Sequence, residues 1–247
     1  MVVHGSALIL PDVEVPFHEA HFVNQCIALA RAHGIKQAIW AGDAIHNAAL
    51  SPFPESEKDT AKEVGEVEGY LRELVDPFDT IYWFSGNHDR RPQRMLDRQI
   101  PLSLMARLYV NPEFAEEFGR KVKASDLFWC EVGTGENKWR ITHPKSVNAI
   151  PASAAKAIAQ SHNCNVAMAH DHQCGVQQTT DGRHWGIEIG CCCDPKRLEY
   201  VQTRDNTRPQ MVNGALILLE RNGTYYPHLL SPTLTDFAWE IKHGARQ

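Results

Sequence analysis

Residues 80–89 read TIYWFSGNHD, an apolar run that stops against a glycine, an amide, an imidazole and a carboxylate. Thr80, Ile81, Tyr82, Trp83 and Phe84 are β-branched, aromatic or both in turn, the residue types that suit a buried, pleated strand. Gly86, Asn87, His88 and Asp89 then stand at its carboxyl end, where open α/β sheets bind their ligands. The same pattern recurs on either side. Upstream, Gln37–Ala41 ends in Gly42-Asp43, and Ala7–Leu10 ends in Pro11-Asp12 with Glu14 two residues on. Downstream, WRIT runs into His143, and NVAMA runs into His170-x-His172. Each alone has an ordinary reading. Asp12 is a turn aspartate, Gly42-Asp43 a strand-to-helix turn, Asn87 a residue tolerant of positive φ, and His143 a loop histidine. A ligand-type group at five successive strand ends is what those readings do not absorb.

Strand and helix alternate through the first half. Residues 18–33 carry Phe22, Cys26, Leu29 and Ala30 at helical spacing before Gly34, and 56–75 carry Val64, Val67, Leu71 and Leu74 on one face. Helical crossovers between strands imply a parallel sheet covered on both faces. Residues 90–125 turn Arg-rich and then Glu/Phe-rich, a helical insertion. Strands are predicted at 127–132, 138–142, 165–169, 175–179, 184–189, 215–220 and 224–229, with a helix at 152–160. The expectation is one α/β domain over 1–247, with 90–125 as a helical cap.

Composition narrows the class. The chain has 247 residues, 43% of them apolar and 9% aromatic, which is enough for a packed core and excludes disorder. A formal charge of −5 argues against coating duplex DNA by charge alone. Its 7 cysteines are odd in number, include the run 191–193 and form no C-x-x-C pair, so they are no disulfide framework. Free thiols point to a reducing compartment, and a cytoplasmic location is expected. The start MVVHGSALILPDVE lacks a basic stretch and a long apolar run, and no segment is apolar enough to span a membrane.

The ordered set Asp12-x-Glu14, Gly42-Asp43, Gly86-Asn87-His88-Asp89, His143 and His170-x-His172 resembles the calcineurin-like metallophosphoesterase family, over about two thirds of the chain. The phrases THPKS (142–146) and GCCCDP (190–195) look like those of phage-encoded members. The resemblance implies a layered fold, two mixed β-sheets sandwiched together and flanked by helices (α-β-β-α). It implies a dinuclear metal-dependent phosphoesterase acting on phosphomonoesters or phosphodiesters through a metal-bridging hydroxide. Asp12, Glu14 and His172 would hold one ion, Asn87, His143 and His170 the other, with Asp43 bridging. Asn87 would also orient substrate, and His88 would protonate the leaving oxygen. Two positions depart from the family in ways that touch chemistry. Glu14 stands where a histidine is usual, which tilts the metal toward Mn2+, with Mg2+, Zn2+ and Fe as alternatives. His46 stands where many members place the aspartate that pairs with the catalytic histidine. Pro144 and Ala169, each in place of a glycine, are backbone changes only.

Substrate determinants are thinner. Arg91, Arg94 and Arg98 fall on one helical face, and Arg90 or Arg91 is the better candidate for a phosphate clamp. His18 and His21 could add a ligand near Asp12. The cysteines at 191–193 and Cys174 read as small buried hydrophobes at strand ends rather than ligands. The charged segment 196–208 reads as surface. Two other readings stay open, a nuclease on the same scaffold and a metal-binding interaction module with impaired catalysis. The partner expected is a phosphate ester, with nucleic acid an option and no membrane; the oligomeric state is open.

Overall fold

A computed structural model describes residues 1–51, 60–97, 99–202 and 211–243. Two six-stranded mixed sheets lie face to face. The first runs β12 (Thr224–Leu230), β11 (Ala215–Arg221), β2 (Ala7–Leu10), β3 (Gln37–Ala41), β4 (Thr80–Phe84) and β5 (Val122–Ser125). The second runs β1 (Val2–Val3), β6 (Trp129–Val132), β7 (Trp139–Thr142), β8 (Asn165–Met168), β10 (Trp185–Ile189) and β9 (Cys174–Gln178). Strands β2, β3, β4 and β5 pair in parallel, as do β7, β8 and β10, so their carboxyl ends share an edge within each sheet.

Three layers of apolar contact hold the sheets. Between them pack Ile9, Ile39, Phe84, Trp139, Ile141 and Leu216. On the outer face of the first sheet, Leu8, Leu10, Trp40 and Trp83 meet helices α1 (Ala20–Ala32) and α2 (Thr60–Val75). Alternate residues of β2 therefore enter different cores, which is why the strand reads as an unbroken apolar run rather than an alternation. On the outer face of the second sheet lies α6 (Ser153–His162), seated so close that a Cβ at Gly186 would come within 2.3 Å of Lys156 N. The α-β-β-α layering expected from the resemblance is the architecture observed.

Local chemistry sets the helix ends. Glu19 caps α1, its carboxylate accepting from Phe22 N at 2.5 Å, and the helix stops before Gly34 at φ 69°. The stretch expected to be wholly helical holds α3 (Arg91–Leu96), α4 (Leu102–Arg107) and α5 (Pro112–Lys121) but ends in β5, which extends the first sheet. Leu102, Ala106, Phe114 and Phe118 of these helices pack into the outer core. Strand β1 was also not expected. The arginine face is corrected too: Asp97 turns left-handed at φ 47° and ends α3, leaving Arg91 buried and Arg94 exposed. Arg98 lies outside the described residues, as do Arg204 and Arg208 of the charged segment. Helix α7 (Glu199–Gln202) lies between β10 and β11, and α8 (Phe237–His243) follows β12. Among the described residues no helix is long and apolar enough to cross a membrane, and all seven cysteines are free.

Candidate metal centre

The five strand-end groups converge. Asp12, Glu14 and His172 form one cluster, Asp43, His143 and His170 a second, and Glu14, His46 and His88 a third, each with its ligand atoms within 4.8 Å of one another. His172 Nε2 lies 3.2 Å from Asp12 Oδ1 and 3.6 Å from Glu14 Oε1. His143 joins the first two clusters, with Nε2 3.3 Å from Asp43 Oδ2 and Nδ1 3.8 Å from Asp12 Oδ1. Asn87 Oδ1 sits 3.0 Å from the same Nε2. Asp12, Glu14, Asp43, Asn87, His143, His170 and His172 are thus brought together.

The backbone is bent to make this possible. Asp12, Glu14, Asp43, Asn47, His170 and His172 all have positive φ, from 43° to 84°. Such conformations cost side-chain-bearing residues of order 1–3 kcal/mol each and collect at functional sites. Two glycines make room. A Cβ at Gly42 would fall 2.5 Å from His143 Nδ1, and one at Gly86 would fall 2.0 Å from Asp43 Oδ1. Asp89 clamps the loops together, one carboxylate oxygen accepting from Ala44 N and Ile45 N and the other from Gly86 N and Trp83 Nε1. Sequence reading assigned Asp89 no task of its own, though its place in the motif marked it.

Burial and charge tune the groups. Burial alone would raise the Glu14 pKa, but His88, His46 and His172 together hold it at about 2. Burial works against the His143 cation, yet Asp43 and Asp12 lift its pKa to about 9. His172 is raised in the same way, against burial, chiefly by Asp12. His88 goes the other way: burial outweighs Asp43 and Glu14 and brings it down to about 4, so the ring is neutral at pH 7.

His46 lies beside His88, at the position the sequence indicated, and a carboxylate lies with it. His46 Nδ1 meets Glu14 Oε2 at 2.5 Å, and the same oxygen is 3.6 Å from His88 Nδ1. His46 and His88 touch edge to face, 5.0 Å between ring centres. Glu14 is therefore the carboxylate on the Nδ1 side of His88, with Asp43 Oδ2 3.9 Å from Nε2 on the other side. Arg91 is buried with its guanidinium 3.0 Å from His88 Nε2 and also bonded to His46 O and Asn47 O. A guanidinium only donates, so Nε2 is an acceptor and the ring proton lies on Nδ1. Arg90 stacks on Phe128, 4.4 Å from its centre.

His18 packs edge-on against Tyr70 and belongs to none of these clusters. Cys191 and Cys193, set aside by sequence reading, lie beside His172 within the same 4.8 Å limit. Cys174 belongs to no such cluster among the described residues.

No family model matches the chain, and no curated protein does. Solved structures similar to it include Vps29 from Chaetomium thermophilum, 10% identical, with 92% of this chain and 95% of that one covered at a TM-score of 0.44. A single mutant of Vps29 from Entamoeba histolytica is 12% identical, with 92% and 98% covered at 0.41. A Thermotoga maritima protein solved by NMR is 12% identical, with 92% and 99% covered at 0.39.

Proposed function

We propose that the chain is a phosphoric ester hydrolase that works with two divalent ions at the joint carboxyl edge of its sheets. The observation that carries this reading is the convergence of three buried carboxylates, Asp12, Glu14 and Asp43, with His143, His170 and His172 in two clusters whose ligand atoms lie within 4.8 Å of one another. Buried anionic oxygens are costly unless a cation or a donor faces them. The donor set fits such cations. Asp12, Glu14 and His172 would hold one ion, and Asp43, His143 and His170, with Asn87 beside them, the other. Carboxylates outnumber imidazoles in the first group, which favours Mn2+ or Mg2+ over Zn2+. Two ions bound there would polarise a phosphoryl group and lower the pKa of a water between them.

The remaining work falls to the chain. Asp43 stands where both strand-end loops meet, fixed by His88 N donating to its Oδ1 at 2.7 Å. His88 is held between Glu14 and Arg91. A phosphate dianion entering beside it would favour its charged form, and an imidazolium there would protonate the departing oxygen. Arg91 acts as a positioning residue in this structure, setting the tautomer of His88.

The test is turnover of p-nitrophenyl phosphate and of its bis ester with added Mn2+, with labelled oligonucleotides as a third substrate. Asp43→Asn and His88→Ala should each lower kcat on the order of 10²–10⁴-fold. Turnover of the bis ester alone assigns a diesterase, and cutting of the oligonucleotide a nuclease. Failure on all three with Mn2+, Mg2+, Zn2+ and Fe2+ would overturn the proposal and leave a metal-binding module.

A further inference from the structure

The run 191–193 leaves β10 with its side chains alternating. Cys192 joins the outer core, its Sγ 3.5 Å from Gly214 O. Cys191 and Cys193 fall on the opposite side, fully buried against Phe17, Leu198 and Met211. Their thiols and a ring nitrogen of His172 lie within 4.8 Å of one another, and Met211 Sδ is 3.1 Å from His172 Nδ1. Two thiols and a ring nitrogen of His172 thus lie together, with the Met211 thioether against Nδ1 and packed on the same two cysteines. His172 Nε2, the other ring nitrogen, is turned to Asp12 and Glu14.

The framework around these donors is rigid. Val212 N donates to His172 O at 2.9 Å, and Cys191 N donates to Val212 O at 3.0 Å. The Asn213 side chain donates to both Cys191 O and Cys193 O, at 3.2 and 2.8 Å, which holds the two thiols on the same side of the turn. Gly214 lets the segments touch, since a Cβ there would fall 1.8 Å from Ile189 O. Donors fixed in this way need little rearrangement to bind.

We propose that Cys191, Cys193, His172 Nδ1 and Met211 form a second, closed site, joined to the carboxylate centre through His172, for a thiophilic d10 cation, Zn2+ or Cu(I). Thiolate and thioether donors select such ions over Mn2+ or Mg2+. Four protein donors with no open position make the site structural rather than catalytic. Binding releases the two thiol protons and the Nδ1 proton of His172 to solvent, and with Zn2+ the two thiolate charges are balanced; the thioether is the feature that suits Cu(I). The occupied site would tie the loop that carries His170 and His172 to the segments at 191 and 211. It does not depend on the phosphoesterase reading.

The experiment offers the reduced, ion-stripped full chain one equivalent of Zn2+ or of Cu(I) against a competing chelator and records X-ray absorption of the retained metal. The expected result is one retained equivalent with sulfur neighbours at about 2.3 Å. The ion that survives competition names the occupant. Cys191→Ala with Cys193→Ala should lose that equivalent, while Asp43→Asn, which disrupts the carboxylate centre, should keep it. Only oxygen and nitrogen neighbours for both metals, or full retention in the double variant, would overturn the site. If the double variant does not fold, the wild-type spectrum decides alone.

Discussion

Glu14 meets three imidazoles, those of His46, His88 and His172, while excluded from water. Glu14→Gln keeps the shape and removes the charge they share. Breaking a buried pair from one side costs about 3–5 kcal/mol, and urea unfolding of the ion-free protein should show a loss of that size. At Gly86 the constraint is space alone. Gly86→Ala should abolish tight Mn2+ binding in calorimetry and destabilise by about 1–3 kcal/mol as the loop gives way. His18 provides a pH signature. Burial, with Arg197 nearby, brings its pKa down to about 4 from an ordinary 6.5. The unfolded chain then takes up the proton first, so this contribution is complete above pH 6.5 and disappears as pH falls toward 4. His18→Phe keeps a ring against Tyr70 and should flatten that part of the stability profile; an unchanged acid limb would contradict the assignment.

At the scale of elements, the strands were legible and the pairings between distant loops were not. Apolar runs such as ALIL and TIYWF declare buried strands because both their faces meet a core, and the polar residue that ends each run marks the edge where ligands bind. Strand β5 reads VKAS, a short edge strand with only Val122 buried, and nothing in its pattern separates it from the helix before it. Helix α3 looked longer because arginine spacing continues past Asp97, whereas its end is decided by backbone conformation. The Glu14–His46 contact spans 32 residues of sequence and the His172–Met211 contact 39, and no local pattern announces either. The cap of α1 is a local matter and should behave as one: Glu19→Ala should cost about 1 kcal/mol in thermal or urea unfolding.

For the whole molecule, the decisive quantity is the coupling of ions to folding. His143, with its pKa at about 9, and the raised His172 carry protons that entering cations must displace. Ion affinity should therefore rise with pH, with proton release seen in calorimetry as a dependence on buffer ionisation. Saturating Mn2+ should raise Tm, and a concentration 100 times Kd adds about 2.7 kcal/mol; a chelator should reverse the shift. The left-handed backbone at Asp12, Glu14, Asp43, His170 and His172 sets a limit on how such a protein can be improved. At these positions glycine would relax the chain, and the ligand would go with the side chain. His170→Gly should melt at or above the wild-type temperature without ions and gain less from Mn2+. Selection for stability alone would erode the centre one position at a time, so a thermostable variant retaining its ions must draw its gains from the helices and outer cores.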